Sequence, residues 1–483
     1  MKMEMAQVVI FFAVTAAIAL VTYIKCKQAP RLQSSNKEYF LAGGGLSWIF
    51  VAGSITLTNL STDQLVGMNG NQMLLMAWWE LAAVIGLIVL AKIFLPQYYK
   101  YQCTTTTELL EKRYNNKNIR ALIGGIFILA IAFIWMPAAI YSGALFMKSM
   151  FNIELPLIVI AAGFALAGGA YAFFGGLRAV AVSDTYSGVL LLGVAIVVVF
   201  LSLNAIDYDF SGIPPERLTL IGDNDSPIPW HTLLTGMIFI QTFYWSTNQV
   251  ITQRAMAAPT LKEAQKGVFA AAGIRLIIVP AIVVIPGIVS YKLYGDIGDA
   301  AYGTLVGDIL PYWLSGILAA ALAAAVLTTY NSNLNSAVAL YVCDIHEKYI
   351  NEDVKVAKIS GIVTVLLVAN SLLMVPLYQQ ANSIIDLLQQ LWGLLSMPIL
   401  SIFIVGLLFK NVDARAGMAA VVIGVAIYGF FSFVWSPIHY IHLMLVTLIL
   451  CVLIALAINR WVFGNSAQLI GKEASLIEAS SAT

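Results

Sequence analysis

The sequence predicts an all-α membrane protein that crosses the bilayer many times. Of its 483 residues, 60% are hydrophobic and 11% are charged, whereas soluble domains carry about 25% charged residues. Apolar runs long enough to cross ~30 Å of hydrocarbon recur along the whole chain, and two of them contain polar clusters at matching positions. The formal net charge of +1 argues against nucleic acid or another polyanion as a partner.

About thirteen transmembrane helices can be placed in order from these runs. The first follows Lys2 and Glu4 and has no small-residue cleavage site after it, which favours a retained helix over a signal peptide. The polar tail after the last span is expected to be disordered. The predicted spans cover roughly residues 7–24, 45–69, 73–95, 118–147, 155–175, 181–204, 231–251, 266–291, 312–343, 356–377, 383–409, 414–434 and 439–460.

The distribution of Lys and Arg orients these spans. With the N-terminus outside, four basic residues lie outside and one lies within a span, so 21 of the 26 lie on or near the inner side. The outer loop 205–230 is acidic instead. We therefore expect a multi-pass protein of the plasma membrane (the inner membrane in a bacterium), with its C-terminus in the cytoplasm.

Two of the predicted spans are interrupted by polar residues at mid-depth. Span two carries "TLTNLSTDQ" (56–64) and span seven carries "QTFYWSTNQ" (241–249). Each begins a block of five helices when the first helix of the chain is set aside, and the two blocks have opposite topology. Interrupted helices at corresponding positions of inverted repeats indicate the central site of a secondary transporter. The alternative is that these polar side chains only hold neighbouring helices together.

This arrangement predicts a five-plus-five inverted repeat with two discontinuous helices, flanked by further segments. The chain divides into an N-terminal helix with a cytoplasmic linker (1–44), a first repeat (45–204), an extracellular loop (205–230), a second repeat (231–410), two C-terminal helices (411–462) and a cytoplasmic tail (463–483). The sequence contains no HExxH, Walker or Gly-x-Ser-x-Gly motif, so we expect no enzyme and no ATP-driven pump. Ion coupling is then the natural source of energy.

Span nine offers oxygen ligands for a small cation. In "AAALAAAVLTTYNSN", three alanines allow close helix approach, and the hydroxyls of Thr328 and Thr329 follow at mid-depth. Hydroxyls together with carbonyls of a broken helix would form a neutral oxygen cage, which suits a monovalent cation better than a divalent one. The alternative is that both hydroxyls bond back to carbonyls of their own helix.

Glu80 and Arg275 are charged residues inside predicted spans. Their positions along spans three and eight put their Cα heights within about 6 Å of each other, so we expect them to pair or to share a ligand. Intramembrane charges are functional candidates by default. The alternative is a purely structural ion pair.

Buried amides and aromatic rings suggest a binding place for a neutral, polyhydroxylated solute. Hydroxyl groups would bond the amides and carboxylates, and a ring face would stack on the sugar; the alternative is that the rings only pack. Asp184 is either a helix N-cap or a carboxylate at the inner mouth of a cation path. The amides are Gln64, Gln241, Asn248 and Gln389, and the aromatic residues are Trp78, Trp79, Tyr244, Trp245 and Trp392.

The chain resembles the sodium/solute symporter family, and most closely its sodium–glucose cotransporter branch. The resemblance extends in order from about residue 38 to 410. It rests on "EYFLAGGGLSW" (38–48), "NLSTDQLVGMNG" (59–70), "YWSTNQVITQR" (244–254), "EAQKG" (263–267) and "AALAAAVLTTYNSNLNSA" (320–337).

The resemblance implies a LeuT-like fold and a set of site residues. Sodium would bind the backbone carbonyls of Leu57, Leu60 and Ala325 and the hydroxyls of Thr328 and Thr329. Tyr244, with Trp245, would form an aromatic gate beneath the solute. A second sodium or an inner exit would lie at Asp184, Asn331 and Ser332, although relatives with such a site have a hydroxyl where Asn331 stands. The solute would contact Gln64, Glu80, Gln241, Arg275 and Gln389, with Asn59 and Asn248 nearby.

Some positions depart from the galactose-transporting members of that branch. Those members have Asn where Gln241 stands, Lys where Arg275 stands, a Ser where Ala83 stands and an aromatic residue where Ile385 stands. These differences leave the sodium positions intact and bear on the identity of the solute.

The resemblance and the residues together predict a sodium-coupled symporter that imports a neutral sugar, such as a galactose- or glucose-like hexose, or a polyol by alternating access. Sodium is the expected coupling ion, and no obligate protein partner is predicted. One alternative is the same fold with another cargo, such as an amino acid, a carboxylate or a vitamin. A second, of a different class, is a solute sensor or channel without coupled transport.

Overall fold

The computed structural model describes residues 5–27, 41, 44–60, 62–351, 356–380 and 384–470. Within these ranges ten helices are long and apolar enough to cross a membrane. They coincide with ten of the thirteen predicted spans, so the polytopic helical architecture is confirmed. The linker 28–40, most of the first motif of the resemblance, Ser61 and the tail from 471 lie outside the described residues.

The helices are numbered here in chain order. They are α1 (Met5–Lys27), α2 (Trp48–Asn59), α3 (Thr62–Gly70), α4 (Leu74–Lys100), α5 (Thr106–Tyr114), α6 (Lys117–Phe151), α7 (Leu157–Ala205), α8 (Gly236–Ser246), α9 (Gln249–Met256), α10 (Leu261–Tyr294), α11 (Ala301–Ile309), α12 (Tyr312–Tyr349), α13 (Val356–Tyr378), α14 (Ile384–Leu408), α15 (Ala414–Phe433) and α16 (Tyr440–Trp461). Two short strands, β1 (Phe409–Lys410) and β2 (Gln468–Leu469), pair antiparallel.

The count of about thirteen membrane-crossing helices is not confirmed, and three predicted spans have no matching long helix among the described residues. Two of these three are the spans that were predicted to be interrupted. Predicted span two consists of α2 and α3, which are 12 and 9 residues long. Predicted span seven consists of α8 and α9, which are 11 and 8 residues long. None of these pieces alone covers the ~20 residues that a helix needs to cross a bilayer.

The third difference is α7, a single helix of 49 residues where two spans, 155–175 and 181–204, were predicted. At ~1.5 Å per residue it is ~74 Å long, more than twice the thickness of the hydrocarbon core. The expected break near residues 176–180 is absent, because this stretch contains no proline and the helix continues through its glycines. The backbone of Asp184 lies inside α7, so the N-cap interpretation of Asp184 is wrong, and its side chain lies outside the described residues.

Three small elements were not predicted. Helices α5 and α11 lie in segments expected to be loops. The tail was expected to be disordered, but Gln468 pairs with Lys410 and Leu469 pairs with Phe409. This pairing attaches the chain after α16 to the end of α14.

The long helix α12 lies at the centre of the packing. It contacts α7, α1, α6 and α2, while α8 packs against α4, α14 and α16. The approach of α4 to α8 depends on Gly86, where an added Cβ would clash with the carbonyl oxygen of Gln241. The two broken helices are thereby held beside α4, α12 and α14, which supply the remaining site residues.

Candidate functional site

Both polar segments interrupt their helices as expected. Helix α2 ends at Asn59, and Leu60 leaves the helical region with φ −77° and ψ 72°. Helix α8 ends at Ser246, and α9 begins after Asn248, whose side-chain oxygen accepts from the N–H of Val250 at 3.0 Å. Asn248, predicted as a solute-binding amide, therefore caps α9 in this structure. Each interruption places helix ends and free backbone groups beside the cavities described next.

A small cavity, called here the solute cavity, lies between the two broken helices and α14. Its volume is about 30 Å³, room for about two water molecules. Side chains must therefore move before a sugar-sized molecule can enter. The cavity is lined by Asn59, Asp63, Gln64, Met68, Trp79, Ile240, Gln241, Tyr244, Trp245, Ile385, Leu388, Gln389 and Trp392.

A second cavity of about 30 Å³ adjoins the first. Asn59, Asp63, Tyr244, Leu388 and Trp392 line both cavities. The second cavity is lined in addition by Thr58, Trp135, Ala138, Asn248, Val250, Thr329 and Asn333. The solute cavity is thus separated by a few side chains from a cavity that reaches Thr329 of the expected sodium site.

Two stacked aromatic rings are among the side chains that line both cavities, and this pair is called here the partition. The rings of Tyr244 and Trp392 have centroids 4.7 Å apart and planes 19° apart. The amide Nδ2 of Asn59 donates to the Tyr244 hydroxyl at 2.8 Å. Tyr244 was predicted as a gate, and it lies at this partition; its stacking partner Trp392 was predicted only as a nearby aromatic residue.

Glu80 and Arg275 form the ion pair that their predicted depths indicated. The Arg275 guanidinium donates from Nη1 to the Glu80 carboxylate and from Nη2 to the Thr56 carbonyl at 3.1 Å. Glu80 is 1% exposed and Arg275 is fully buried. Neither residue lines the solute cavity. Gln64 lies in front of the pair and donates from Nε2 to Glu80 Oε1 at 2.8 Å, so the pair supports the cavity wall from behind.

Hydrogen bonds of Gln241 and Trp245 stabilise the other side of the solute cavity's wall. Gln241 donates to the Trp79 carbonyl at 2.9 Å and accepts from the indole N–H of Trp245 at 2.9 Å. The Trp245 ring also lies under the Arg275 guanidinium, 4.4 Å from its carbon to the ring centroid. Both polar atoms of the Gln241 amide are thus engaged by the protein. Trp78 lies apart from this group, since its indole donates to the Leu220 carbonyl in the 205–230 loop.

Three amides that line the solute cavity carry a buried side-chain oxygen without a hydrogen-bond donor. They are Asn59, Gln64 and Gln389. An unsatisfied buried acceptor costs about 1–3 kcal/mol. Such a group is expected to find its donor on a ligand or on ordered water.

The two hydroxyls of the expected sodium site lie on α12, and one of them contacts the end of α2. The Thr329 hydroxyl donates across to the Thr58 carbonyl at 3.4 Å, and the Thr328 hydroxyl donates to the Ala325 carbonyl at 3.1 Å. The proposed self-bonding of both hydroxyls therefore holds for Thr328 and is wrong for Thr329. Buried hydroxyl and carbonyl oxygens are the ligands that a hard cation prefers, so the donor set fits sodium.

Two residues of the expected second cation position are also buried. Asn331 and Ser332 are fully buried, and neither atom of the Asn331 amide nor the Ser332 hydroxyl has a hydrogen-bond partner. The third residue, Asp184, has a side chain outside the described residues.

Sequence reasoning did not single out Asp63 or the pairing of Trp392 with Tyr244. Asp63 appeared only as a letter of a motif, yet it lines both cavities. A carboxylate inside a predicted span is itself a signal that could have found it. The Tyr244–Trp392 stack depends on how α14 packs against α8, and one sequence carries no local signal for that contact.

Comparison with known proteins identifies relatives over most of the chain. The model of the sodium:solute symporter family matches residues 39–424. An uncharacterized symporter of Escherichia coli (strain K12), YidK, is 34% identical over 95% of this chain and 84% of its own length. The sodium/glucose cotransporter of Vibrio parahaemolyticus is 30% identical over 86% and 83%. The sodium/myo-inositol cotransporter 2 of Oryctolagus cuniculus is 27% identical over 87% and 68%.

A solved structure supports the fold. A Na⁺-coupled sialic acid symporter, in its substrate-bound outward-open state, matches with a TM-score of 0.82 over 97% of this chain and 100% of that chain. The two sequences are 17% identical, so the likeness concerns the fold alone.

Proposed function

The chain belongs to the sodium:solute symporter family, and we propose that it imports a neutral sugar or polyol together with sodium by alternating access. The relatives named above are transporters, which agrees with the expectation that the chain is not an enzyme. The observation that carries the choice of solute is that three amides lining the solute cavity have buried side-chain oxygens without donors.

A polyhydroxylated solute supplies the hydrogen-bond donors that those oxygens lack. Its hydroxyl groups would donate to Asn59, Gln64 and Gln389, while the ring face would pack on Tyr244 or Trp392. Each buried acceptor that gains a donor recovers part of its desolvation penalty. The sodium/glucose and sodium/myo-inositol relatives have names that fit this class of solute.

An anionic solute fits the cavity less well. Glu80 already neutralises Arg275, which is the one cation predicted to contact the solute. Among the residues that line the cavity are the Asp63 carboxylate and three amides whose oxygens lack a donor, whereas the Trp392 indole N–H is the one buried donor there without a partner among the described residues. The surplus of acceptors disfavours a second carboxylate. Glu80 and Arg275 therefore act on the solute through Gln64 or after a side-chain rearrangement, rather than by direct contact in the present geometry.

Sodium would couple to the solute through the end of α2. A cation held by the carbonyls of Leu57 and Leu60 and by Ala325, Thr328 and Thr329 would tie the broken helix to α12. Such a cation favours whichever form brings these oxygens together, in proportion to its difference in affinity for the two forms. The same stretch of α2 and α3 carries Asn59 and Gln64, so cation and solute act on one element.

The Tyr244–Trp392 stack would act as the gate between the solute cavity and the second cavity. Solute release through the second cavity requires these rings to separate and the Asn59 bond to break. With the N-terminus outside and the C-terminus in the cytoplasm, as the basic residues indicate, the second cavity faces the inner side.

Uptake into proteoliposomes tests the proposal. Labelled galactose, glucose and myo-inositol are offered with and without an inward sodium gradient, and a sodium ionophore serves as the control. We expect at least one of them to accumulate only with the gradient. If none accumulates while sodium still raises the melting temperature, the sodium site stands and the assignment of a neutral solute is wrong. Competition by unlabelled amino acids, carboxylates and vitamins then identifies the class.

A further inference from the structure

Asp63 is a carboxylate whose charge has no assigned counterpart in the site. It lies in the first turn of α3 and lines both cavities. Its Oδ1 is buried and accepts no hydrogen bond. The start of a nine-residue helix favours a negative charge by only about 0.3–1 kcal/mol, which does not replace an ionic partner for a carboxylate that is half-buried and has one oxygen fully covered.

The cations nearby are engaged elsewhere. The Arg275 guanidinium pairs with Glu80 and bonds the Thr56 carbonyl. Within the described part of the chain, no Lys or Arg forms an ion pair with Asp63. Glu80 and Arg275 cancel, so the site carries about one uncompensated negative charge.

The oxygen atoms around Asp63 point to a cation. Asn59, which is 6% exposed, also lines both cavities, and its side-chain oxygen has no donor. Thr329 and Asn333 add further polar groups to the wall of the second cavity. Each cavity has room for about two water molecules, enough for a small monovalent ion that keeps part of its hydration.

We propose that Asp63, with the side-chain oxygen of Asn59, binds a monovalent cation that is transported with the solute, in addition to the sodium expected at Thr328 and Thr329. This inference rests on the proposed sodium-coupled symport. The cation is sodium or a proton, because either one supplies the positive charge that the carboxylate lacks. The other ionisable groups in this region are Tyr244, Glu80 and Arg275; Glu80 and Arg275 are already paired. This proposed cation site at Asp63 is distinct from the second sodium position that was expected at Asn331 and Ser332.

The number of cations carried per solute tests the proposal. In proteoliposomes clamped at zero membrane potential, a tenfold cation gradient accumulates the solute by up to about tenfold for each coupled cation. The sodium gradient and the pH gradient are imposed separately and then together. The variants are Asp63→Asn, which removes the charge at nearly constant shape, Asp63→Glu, which keeps it, and Asp225→Asn, which makes the same change on an exposed loop.

We expect two coupled cations in the wild type, in Asp63→Glu and in Asp225→Asn, and one in Asp63→Asn. If the second cation is sodium, the sodium gradient alone gives up to about 100-fold accumulation in the wild type and about tenfold in Asp63→Asn. If it is a proton, the pH gradient supplies the second tenfold step, which Asp63→Asn removes.

Two results would overturn the proposal. One is a wild type that couples a single cation, a measurement that does not depend on the folding of any variant. The other is Asp63→Asn with two cations retained, even when it needs more sodium for half-maximal uptake, because Asp63 would then only influence the other site. A wild type with no sodium-driven accumulation of any solute would instead refute the proposed function itself.

Discussion

Replacing Glu80 by Gln should leave the Arg275 guanidinium buried with an unpaired charge. Both side chains are almost inaccessible to solvent, and the guanidinium would keep only neutral partners, the Thr56 carbonyl and the Trp245 ring. Removing one member of a buried pair costs about 3–5 kcal/mol. Replacing both members by neutral residues removes the stranded charge, so Glu80→Gln with Arg275→Gln should recover most of that loss.

The free energy of unfolding, measured by graded SDS titration of the purified protein, checks this expectation. Asp209→Asn serves as the control, because it breaks the solvent-exposed pair of Asp209 with Lys292, and exposed pairs contribute little to stability. A Glu80→Gln variant whose free energy of unfolding lies within about 1 kcal/mol of the wild-type value would refute the reasoning. Solute uptake by a stable double variant then separates the roles: retained uptake means that the pair is structural, and lost uptake means that it orients the solute site.

Three further predictions concern the cation site, the gate and the packing of α4. Thr328→Ala should raise the sodium concentration needed for half-maximal uptake, and an unchanged sodium dependence would contradict the site assignment. Trp392→Ala should speed the sodium-free leak of preloaded solute from proteoliposomes, because the partition loses a ring; a wild-type leak rate would argue against the gate. Gly86→Ala should lower the melting temperature by forcing its Cβ against Gln241, whereas Gly125→Ala, where the new Cβ meets nothing within 4 Å, should not.

The sequence was most informative where a physical constraint acts locally. Apolar length predicted ten of the membrane-crossing helices, and mid-depth polar clusters predicted both helix interruptions. Depth along two spans predicted the pairing of Glu80 with Arg275. The inverted repeat, the domain division and the orientation of the termini stay predictions.

The sequence was less informative where tertiary packing decides. It predicted a break in α7 from length alone, and the helix continues. It assigned Asn248 to the solute, although Asn before a helical segment is also a cap signal. The face of α3 that carries Asp63, and the ring that stacks on Tyr244, depend on the positions of α8 and α14 rather than on neighbours in the chain.

The stacked partition has an electrical consequence. A transporter driven by an ion gradient becomes inefficient if a continuous chain of water molecules runs through its centre, because protons cross the membrane along such a chain and dissipate the gradient. Here each cavity has room for about two water molecules, and the stacked rings of Tyr244 and Trp392 line both cavities. If the proposed gate is correct, we expect these two rings to interrupt any chain of water between the cavities and so to limit proton leak through the carrier at rest.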